Sequence, residues 1–359
     1  MSELEIPPLW CPIEPAAHPM LEQIEKEIHP WLASFDVDER VKLRGKASQS
    51  AAWACRVAPE GDIARLQIMS DWTCWAFVTD DQYTDGGPIM DKPHEWNPLF
   101  CKLLYSMANP ETREYVRIPP LGAAFRDLSE RLERTTSPAR FLEWVSAHYI
   151  WLLGSACSVS DRSVKRIRSL DEHLIVGPLD RAEPLSTLMI QIAEDTELPP
   201  QLQRLPKVRA ITDVAHVLHS FYNDLASYSH ELHQECPQSN FVHVLKIEQA
   251  ISPQDAIVEA VRFLDRLMLL FVALRDELNK SAGTELRRYL RQLSNKIRGN
   301  SDFQRIAARY TTVLDVKEGI TSISENPTDA MYEYSDHPSD NQLSAPFSSI
   351  SWWWDQLGR

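Results

Sequence analysis

The chain has 359 residues, of which 43% are hydrophobic and 25% charged, so it can bury one large core or two ordinary ones. A net charge of −14 argues against nucleic acid as a partner, because an acidic surface repels phosphate backbones. The 11 glycines form no phosphate-binding motif, which disfavours a dinucleotide-binding fold, and the six scattered cysteines form no C-x-x-C pair for zinc.

Helix-period patterns dominate the chain from residue 20 onward. The proline-rich, acidic opening over residues 1–17 lacks the features of a signal peptide. Apolar residues then recur at helical spacing over 20–32, 63–77, 141–152, 214–225 and 256–274, with almost no strand signals. Glycine and proline predict helix ends at 86–88, 119–120, 177–178, 199–200 and 299–300.

These patterns predict an all-α fold, with about ten to a dozen helices in a single domain over residues 1–318. Residues 319–359 are rich in serine, aspartate, asparagine and proline, and are expected to form a lid or a partly disordered tail. The three tryptophans at 352–354 should nevertheless pack against another part of the protein. Segment 144–160 contains a histidine and several serines, which favours a buried helix over a membrane span. We therefore expect a cytoplasmic protein with no membrane partner.

The first acidic motif, D-D-Q-Y-T-D over residues 80–85, ends the second apolar stripe. Asp81 and Asp85 share a helix face, and Asp80 lies about 100° round the helix. Carboxylates are electrostatically misplaced at a helix C-terminus, where the helix dipole is already negative. A hard divalent cation would compensate them. The alternative interpretation is a solvated acidic helix end before a turn.

The second motif places three oxygen-bearing side chains at i, i+4 and i+8, within about 80° of one helix face. These are Asn223, Ser227 and Glu231. An amide, a hydroxyl and a carboxylate suit a hard cation and are poor ligands for zinc. A plain polar helix face is the alternative, but the apolar neighbours of these residues indicate a core helix that a polar stripe interrupts.

Together the two motifs resemble those of the class I terpene synthases, above all the bacterial ones. That family carries D-D-x-x-x-D followed by N-D-x-x-S-x-x-x-E, and both match here without a gap, with Asp85 and Asn223 138 positions apart. A third segment, 299–310, resembles the family stretch that ends in an Arg-Tyr pair, although Phe303 replaces its usual tryptophan. The resemblance covers roughly residues 5–315.

The resemblance implies a single-domain helical bundle around a central apolar cavity, and it assigns roles to the motif residues. Asp80, with Asp81 or Asp85, would hold two Mg²⁺ ions, and Asn223, Ser227 and Glu231 would hold a third. Arg309 and Tyr310 would bind the diphosphate of an acyclic prenyl substrate, with farnesyl diphosphate favoured and geranyl or geranylgeranyl diphosphate as alternatives. Asp80, Asn223, Arg309 and Tyr310 are the predicted catalytic set. A homodimer is left open.

Two departures from the family pattern remove positive charge from the expected diphosphate site. The family places a diphosphate-sensing arginine 46 residues before the motif asparagine, where this chain has Gly177. Asp180 occupies the place of the family's linker aspartate, and Arg181 is the candidate substitute for the missing arginine. His230 stands where the family often has lysine or arginine, so we predict that it contacts the diphosphate.

The carbocation left after ionisation needs an apolar, aromatic pocket, since ring quadrupoles attract cations. The candidates for its wall are Trp72, Trp75, Phe77, Trp144, Tyr149, Trp151, Phe221 and Phe303, with Trp75 and Phe77 ranked first because they precede the aspartates by one turn. Two other functions stay open. One is a prenyl chain-elongation synthase, which the absence of a second aspartate-rich motif disfavours. The other is a degenerate helical diphosphate-binding protein, which Gly177 favours.

Overall fold

The computed structural model describes residues 4–84, 87–109, 121–233, 236–317, 320–325, 332–344 and 347–358. Its helices, in chain order, are α1 (Leu21–Ala33), α2 (Glu39–Ser48), α3 (Ser50–Val57), α4 (Ile63–Tyr83), α5 (Pro93–Ala108), α6 (Leu121–Thr135), α7 (Pro138–Ser163), α8 (Leu170–Asp180), α9 (Glu183–Ala193), α10 (Pro200–Gln203), α11 (Pro206–His233), α12 (Phe241–Gln249), α13 (Pro253–Asn279), α14 (Thr284–Gln304), α15 (Ala308–Thr311) and α16 (Ser351–Trp354). The predicted all-α bundle is confirmed.

Four short strands accompany the helices: β1 (Leu9–Trp10), β2 (Thr312–Lys317), β3 (Ile320–Glu325) and β4 (Tyr334–Ser335). β2 and β3 pair as an antiparallel hairpin directly after α15. β1 pairs in parallel with β4, with Leu9 opposite Tyr334, so the N-terminal and C-terminal segments meet. The sequence patterns did not predict the β2–β3 hairpin.

The core consists of two clusters of buried side chains. One is built mainly by α1 and α3 to α7, and the other by α8 and α11 to α14 together with the C-terminal residues. A cavity is lined by residues from helices of both clusters, among them α4, α7, α9, α11 and α14. The long helices α4 and α11, each more than 20 residues, position the two polar motifs at this cavity.

Helix α4 illustrates how the sequence sets an element that carries the site. Asp62 caps its N-terminus, since the carboxylate accepts hydrogen bonds from the backbone N–H groups of Ala64 and Arg65. The helix is buried along most of its length, and Thr84 ends it by donating its backbone N–H to the carbonyl of Asp80. Asp80 and Asp81 therefore occupy the last turn of a core helix.

Two of the predicted helix ends are wrong. Gly177 and Pro178 lie within α8, and Gly299 and Asn300 lie within α14. At Gly299 a Cβ atom would come within 2.6 Å of the Arg56 backbone, so this glycine permits a close helix crossing instead of a turn. The break predicted at 199–200 does precede α10. Residue 86 and the 119–120 break lie outside the described residues.

The C-terminal tryptophans pack on the bundle. Trp353 and Trp354 are buried in the second cluster, near α11. The side chain of Asp171 in α8 accepts hydrogen bonds from Ser348 and Ser349, which holds the segment before α16. The boundary predicted at residue 318 lies outside the described residues and stays a prediction, as does a lid role for the tail. No described helix is long and apolar enough to cross a membrane.

Candidate active site

Two aspartates of the first motif lie at the cavity, and arginines contact one of them, Asp81. Asp80 and Asp81 both line it, and Oδ1 of Asp81 lies 2.5 Å from Nη1 of Arg309. Arg44 donates a hydrogen bond to the backbone carbonyl of Asp81, while the Thr84 hydroxyl donates to Oδ1 of Asp80. Part of the positive charge expected at this helix end is therefore supplied by the protein. Asp85 lies outside the described residues.

The second motif lines the same cavity from α11. Asn223, Ser227 and Glu231 are partly exposed to it, and they bond locally. Nδ2 of Asn223 donates to the Tyr310 hydroxyl at 2.7 Å, and Oγ of Ser227 donates to Oε1 of Glu231 at 2.6 Å. Asp224, the motif's other carboxylate, is buried away from the cavity and accepts the backbone N–H of Phe241 at 2.7 Å.

The Arg-Tyr pair joins the two motifs. Arg309 pairs with Asp81 of α4, and Tyr310 accepts from Asn223 of α11. The Arg309 guanidinium also lies 4.7 Å from the centre of the Phe77 ring, a cation–π contact. Burial lowers the pKa of Arg309, but Asp81, Tyr310 and Asp80 together raise it above its ordinary value, so this arginine stays charged. The four predicted catalytic residues thus share one opening.

The α8–α9 junction brings Arg181 into the cavity, one turn beyond Gly177. Arg181 lines the cavity and is held by two carboxylates, with Nη1 3.0 Å from Asp180 and Nη2 2.5 Å from Asp224. Gly177 does not line it, because a side chain there would meet Phe221 at 3.2 Å and His173 at 3.3 Å. His230 lines the cavity beside Glu231.

Some of the aromatic residues predicted to line the cavity do so, and others do not. Trp72, Phe77 and Trp151 line the cavity, as predicted from their helical positions. The prediction is wrong for Trp75, which is fully buried, stacks on Phe125 at 3.9 Å and donates its N–H to the backbone carbonyl of Leu121. It lies about 160° round α4 from Phe77 and about 60° from Trp72, on the part of the helix that packs against α6.

The remaining candidates also pack elsewhere. Phe221 stacks on Phe241 at 4.1 Å inside the second core cluster. Phe303 lies behind Phe77, with 6.3 Å between ring centres, and supports the wall without forming it. Trp144 is buried in the core, whereas Tyr149 is 46% exposed on the surface. None of these four lines the cavity.

Several lining residues were missed by sequence reasoning. Trp53 lies in the short helix α3, which gave no periodic signal. Arg44 and Arg162 were single basic residues without a motif. His219 did carry a signal, since it lies one helical turn before Asn223 and therefore shares its face. Glu183, the first residue of α9, also lines the cavity.

An aromatic cavity at the centre of a helical bundle, with acidic and amide side chains on two core helices at its opening, defines a class I terpenoid synthase. The fold agrees with a crystal structure of a protein from ancestral sequence reconstruction, with a TM-score of 0.84, 28% identity, and coverage of 98% of this chain and 99% of that one. The fold also matches 2-methylisoborneol synthase from Streptomyces coelicolor, with a TM-score of 0.75, 17% identity, and coverage of 88% and 99%.

Sequence comparison gives the family. Residues 71–269 match the model described as terpene synthase family 2, C-terminal metal binding. Bonnadiene synthase of Allokutzneria albata is 30% identical over 99% of both chains, and spiroviolene synthase of Streptomyces violens is 28% identical over 99% of this chain and 98% of its own. The chain belongs to the terpene synthase family, as the two motifs predicted, and is a lyase of the bacterial class I type.

Proposed function

We propose that this enzyme uses Mg²⁺ to ionise an acyclic prenyl diphosphate and converts the carbocation to a terpene hydrocarbon or alcohol, releasing diphosphate. The observation that carries the proposal is the shared cavity. Asp80 and Asp81 from α4 and Asn223, Ser227 and Glu231 from α11 all line it, next to aromatic walls. Polar residues bind the leaving group, and aromatic residues enclose the hydrocarbon.

The donor set fits Mg²⁺. It offers carboxylate, amide and hydroxyl oxygens without sulfur, which hard cations prefer. Among the described residues, no three histidine, cysteine, aspartate or glutamate side chains form a metal site by themselves. The amide, the hydroxyl and substrate phosphate oxygens would contribute the other ligands. Asp80 with Asp81 or Asp85 would hold two ions, and Asn223, Ser227 and Glu231 a third. When bound, the ions neutralise the charge of the departing diphosphate.

Four donors of this chain would hold the diphosphate: Arg309, Tyr310, Arg181 and His230. The guanidinium groups match phosphate oxygens in geometry and stay charged. We assign to Arg181 the part of the missing sensor arginine, because it reaches the cavity from the turn after Gly177. Its ion pairs with Asp180 and Asp224 fix the orientation of its guanidinium group before substrate arrives.

The cavity wall would protect and guide the cation. Trp53, Trp72, Phe77 and Trp151 present apolar surface and ring faces that exclude water and attract positive charge. The substrate's chain length is the open choice. Farnesyl diphosphate is the first candidate, and (+)-T-muurolol synthase of Streptomyces clavuligerus, 28% identical over 96% of this chain, is named for cyclising it. Geranyl and geranylgeranyl diphosphate are the alternatives.

The test is incubation of the purified protein with each of the three diphosphates, with Mg²⁺ or with a chelator in its place. We expect diphosphate release and a terpene product by gas chromatography from one substrate, both dependent on Mg²⁺. Asp80→Asn should abolish both. Asp62→Asn, at the other end of α4, is the matched control, because asparagine also caps helices. An active Asp80→Asn enzyme would contradict the site assignment.

Adding isopentenyl diphosphate separates the rival functions. A chain-elongation synthase would give a longer prenyl diphosphate only when isopentenyl diphosphate is present. A degenerate binding protein would release no diphosphate from any of the three substrates at any Mg²⁺ concentration. Release of a terpene from the allylic substrate alone supports the synthase.

A further inference from the structure

A buried group of titratable side chains adjoins the cavity. We call Glu183, His219 and Lys296 the inner cluster. Glu183 and Lys296 are fully buried, and Nζ of Lys296 lies 2.7 Å from Oε2 of Glu183. Lys296 also donates to the Glu183 carbonyl at 3.0 Å and to the Thr187 hydroxyl at 2.8 Å. This ion pair joins α9 to α14.

His219 connects this pair to the cavity. Its Nδ1 lies 2.6 Å from Oε1 of Glu183, and its side chain is about nine-tenths buried while still lining the cavity. Nε2 is also buried and makes no hydrogen bond to any residue that the structure describes. A carboxylate only accepts hydrogen bonds, so Nδ1 carries the proton that Glu183 binds, and Nε2 carries a lone pair.

The electrostatics maintain that state. Burial raises the pKa of Glu183, but the Lys296 ammonium and the hydrogen bond that His219 donates lower it, and the pKa lies below its ordinary value, so the carboxylate is ionised. Burial lowers the pKa of His219, Glu183 raises it and the charge of Lys296 lowers it again; the net direction is down, so the imidazole is neutral before reaction. A neutral imidazole with a free lone pair, oriented by a carboxylate, is the arrangement of a general base.

The position of His219 suits the removal of a proton from the hydrocarbon part of the substrate. His219 precedes Asn223 by four residues on α11, which is about 6 Å along the helix axis. It therefore lies inward from the residues proposed to bind metal and diphosphate. The Trp53 ring meets the His219 ring edge-on at 6.0 Å, and both line the cavity. A carbocation enclosed by these walls would lie beside the His219 ring.

We infer that His219 is the base that ends the carbocation cascade, with Glu183 positioning it and Lys296 neutralising Glu183. The inference rests on the proposed function. A C–H bond next to the cationic carbon breaks, its electron pair forms the C=C double bond, and the proton binds to the Nε2 lone pair. The resulting imidazolium is stabilised by the Glu183 carboxylate, and the proton passes to solvent once the alkene has left. The product is therefore an olefin.

The test measures how much wild-type olefin forms for each diphosphate released, in His219→Gln and in His216→Gln. His216 is the matched control because it is a buried histidine on the same helix whose Nε2 lies 2.9 Å from the Thr187 hydroxyl, and it does not line the cavity. We expect this ratio to fall about 10²-fold in His219→Gln, the lower range for a positioned base, with alcohols or earlier olefins appearing instead. It should stay at the wild-type value in His216→Gln.

Several outcomes would overturn the inference. These are an unchanged ratio in His219→Gln, an equal fall in His216→Gln, and wild-type products that are all alcohols. If His219→Gln does not fold by circular dichroism, His219→Asn is measured in its place against the same control. A wild-type protein that releases no diphosphate with Mg²⁺ contradicts the proposed function itself, which separates that failure from a failure of the base assignment.

Discussion

The two polar regions of the cavity are built on opposite principles. We call Asp80, Asp81, Asn223, Ser227 and Glu231 the outer site. Its members are partly exposed; Asp81 and Asn223 bind the Arg-Tyr pair, and Ser227 donates to Glu231. The inner cluster is buried, and its Glu183–Lys296 ion pair is closed on both sides by hydrogen bonds.

The difference in burial suits the outer site and the inner cluster to different roles. Partly exposed ion pairs contribute little to stability, so a metal ion or a diphosphate can replace them at small cost. A buried pair is expensive to break, since the remaining charge has no water to solvate it. The outer site is therefore suited to exchange partners during turnover. The inner cluster is suited to hold one geometry and to offer the cavity a single lone pair.

The largest expected effect is on stability, from Lys296→Met. Removal of the ammonium leaves the Glu183 carboxylate buried without its cation, and we expect the free energy of unfolding to fall by about 3–5 kcal/mol. Urea unfolding followed by circular dichroism measures it. Lys207→Met, which breaks a partly exposed pair with Glu277, is the control and should cost about 1 kcal/mol or less. The double variant Glu183→Gln with Lys296→Met should regain most of the loss.

Equal losses in the Lys296→Met and Lys207→Met variants would remove the distinction between the inner cluster and the partly exposed ion pairs. A double variant no more stable than Lys296→Met would show that the carboxylate is not the source of the cost. In that case the packing of the lysine stem would explain the stability of the inner cluster.

The next effect concerns the outer site and tests Arg181. Arg181→Gln removes a proposed diphosphate donor, so we expect kcat for diphosphate release to fall by about 10²–10³, the scale of a lost oxyanion donor. Arg168→Gln is the control, because Arg168 is a buried arginine paired with Asp161 that does not line the cavity. If both variants lose activity equally, Arg181 acts through the structure and not through the diphosphate.

The fold could be predicted because its determinants are local. Apolar periodicity located the long helices, and the two motifs are each read within a dozen residues of one helix. Gly177 and Gly299 misled the prediction, since glycine is a signal both for helix ends and for close helix contacts. At Gly299 the second meaning applies, because the Arg56 backbone crosses there, and only the packed structure shows it. The β2–β3 hairpin likewise depends on pairing that no helical period reveals.

Site prediction failed where helix rotation and distant pairing decide the outcome. Trp72 and Trp75 are both tryptophans of α4, yet Trp72 lines the cavity and Trp75 packs against α6. The inner cluster joins Glu183 to His219, 36 positions away, and to Lys296, 113 positions away. No spacing rule brings these three together, so the base candidate appeared only in three dimensions.

The smallest expected effects come from that tryptophan pair and separate the cavity wall from the core. Trp75→Phe removes an indole N–H from the Leu121 carbonyl and leaves space beside Phe125, so we expect a stability loss of about 1–3 kcal/mol. The product ratios should not change.

Trp72→Phe weakens one aromatic face of the cavity wall. The loss of about 0.5–2 kcal/mol of cation–π attraction should shift the product ratios, which gas chromatography measures. The Trp72 N–H also donates to Nε2 of His148 at 3.1 Å, so melting curves must accompany both variants. New products from Trp75→Phe at unchanged stability would mean that this ring reaches the cation, and that the wall extends further round α4 than the lining residues indicate.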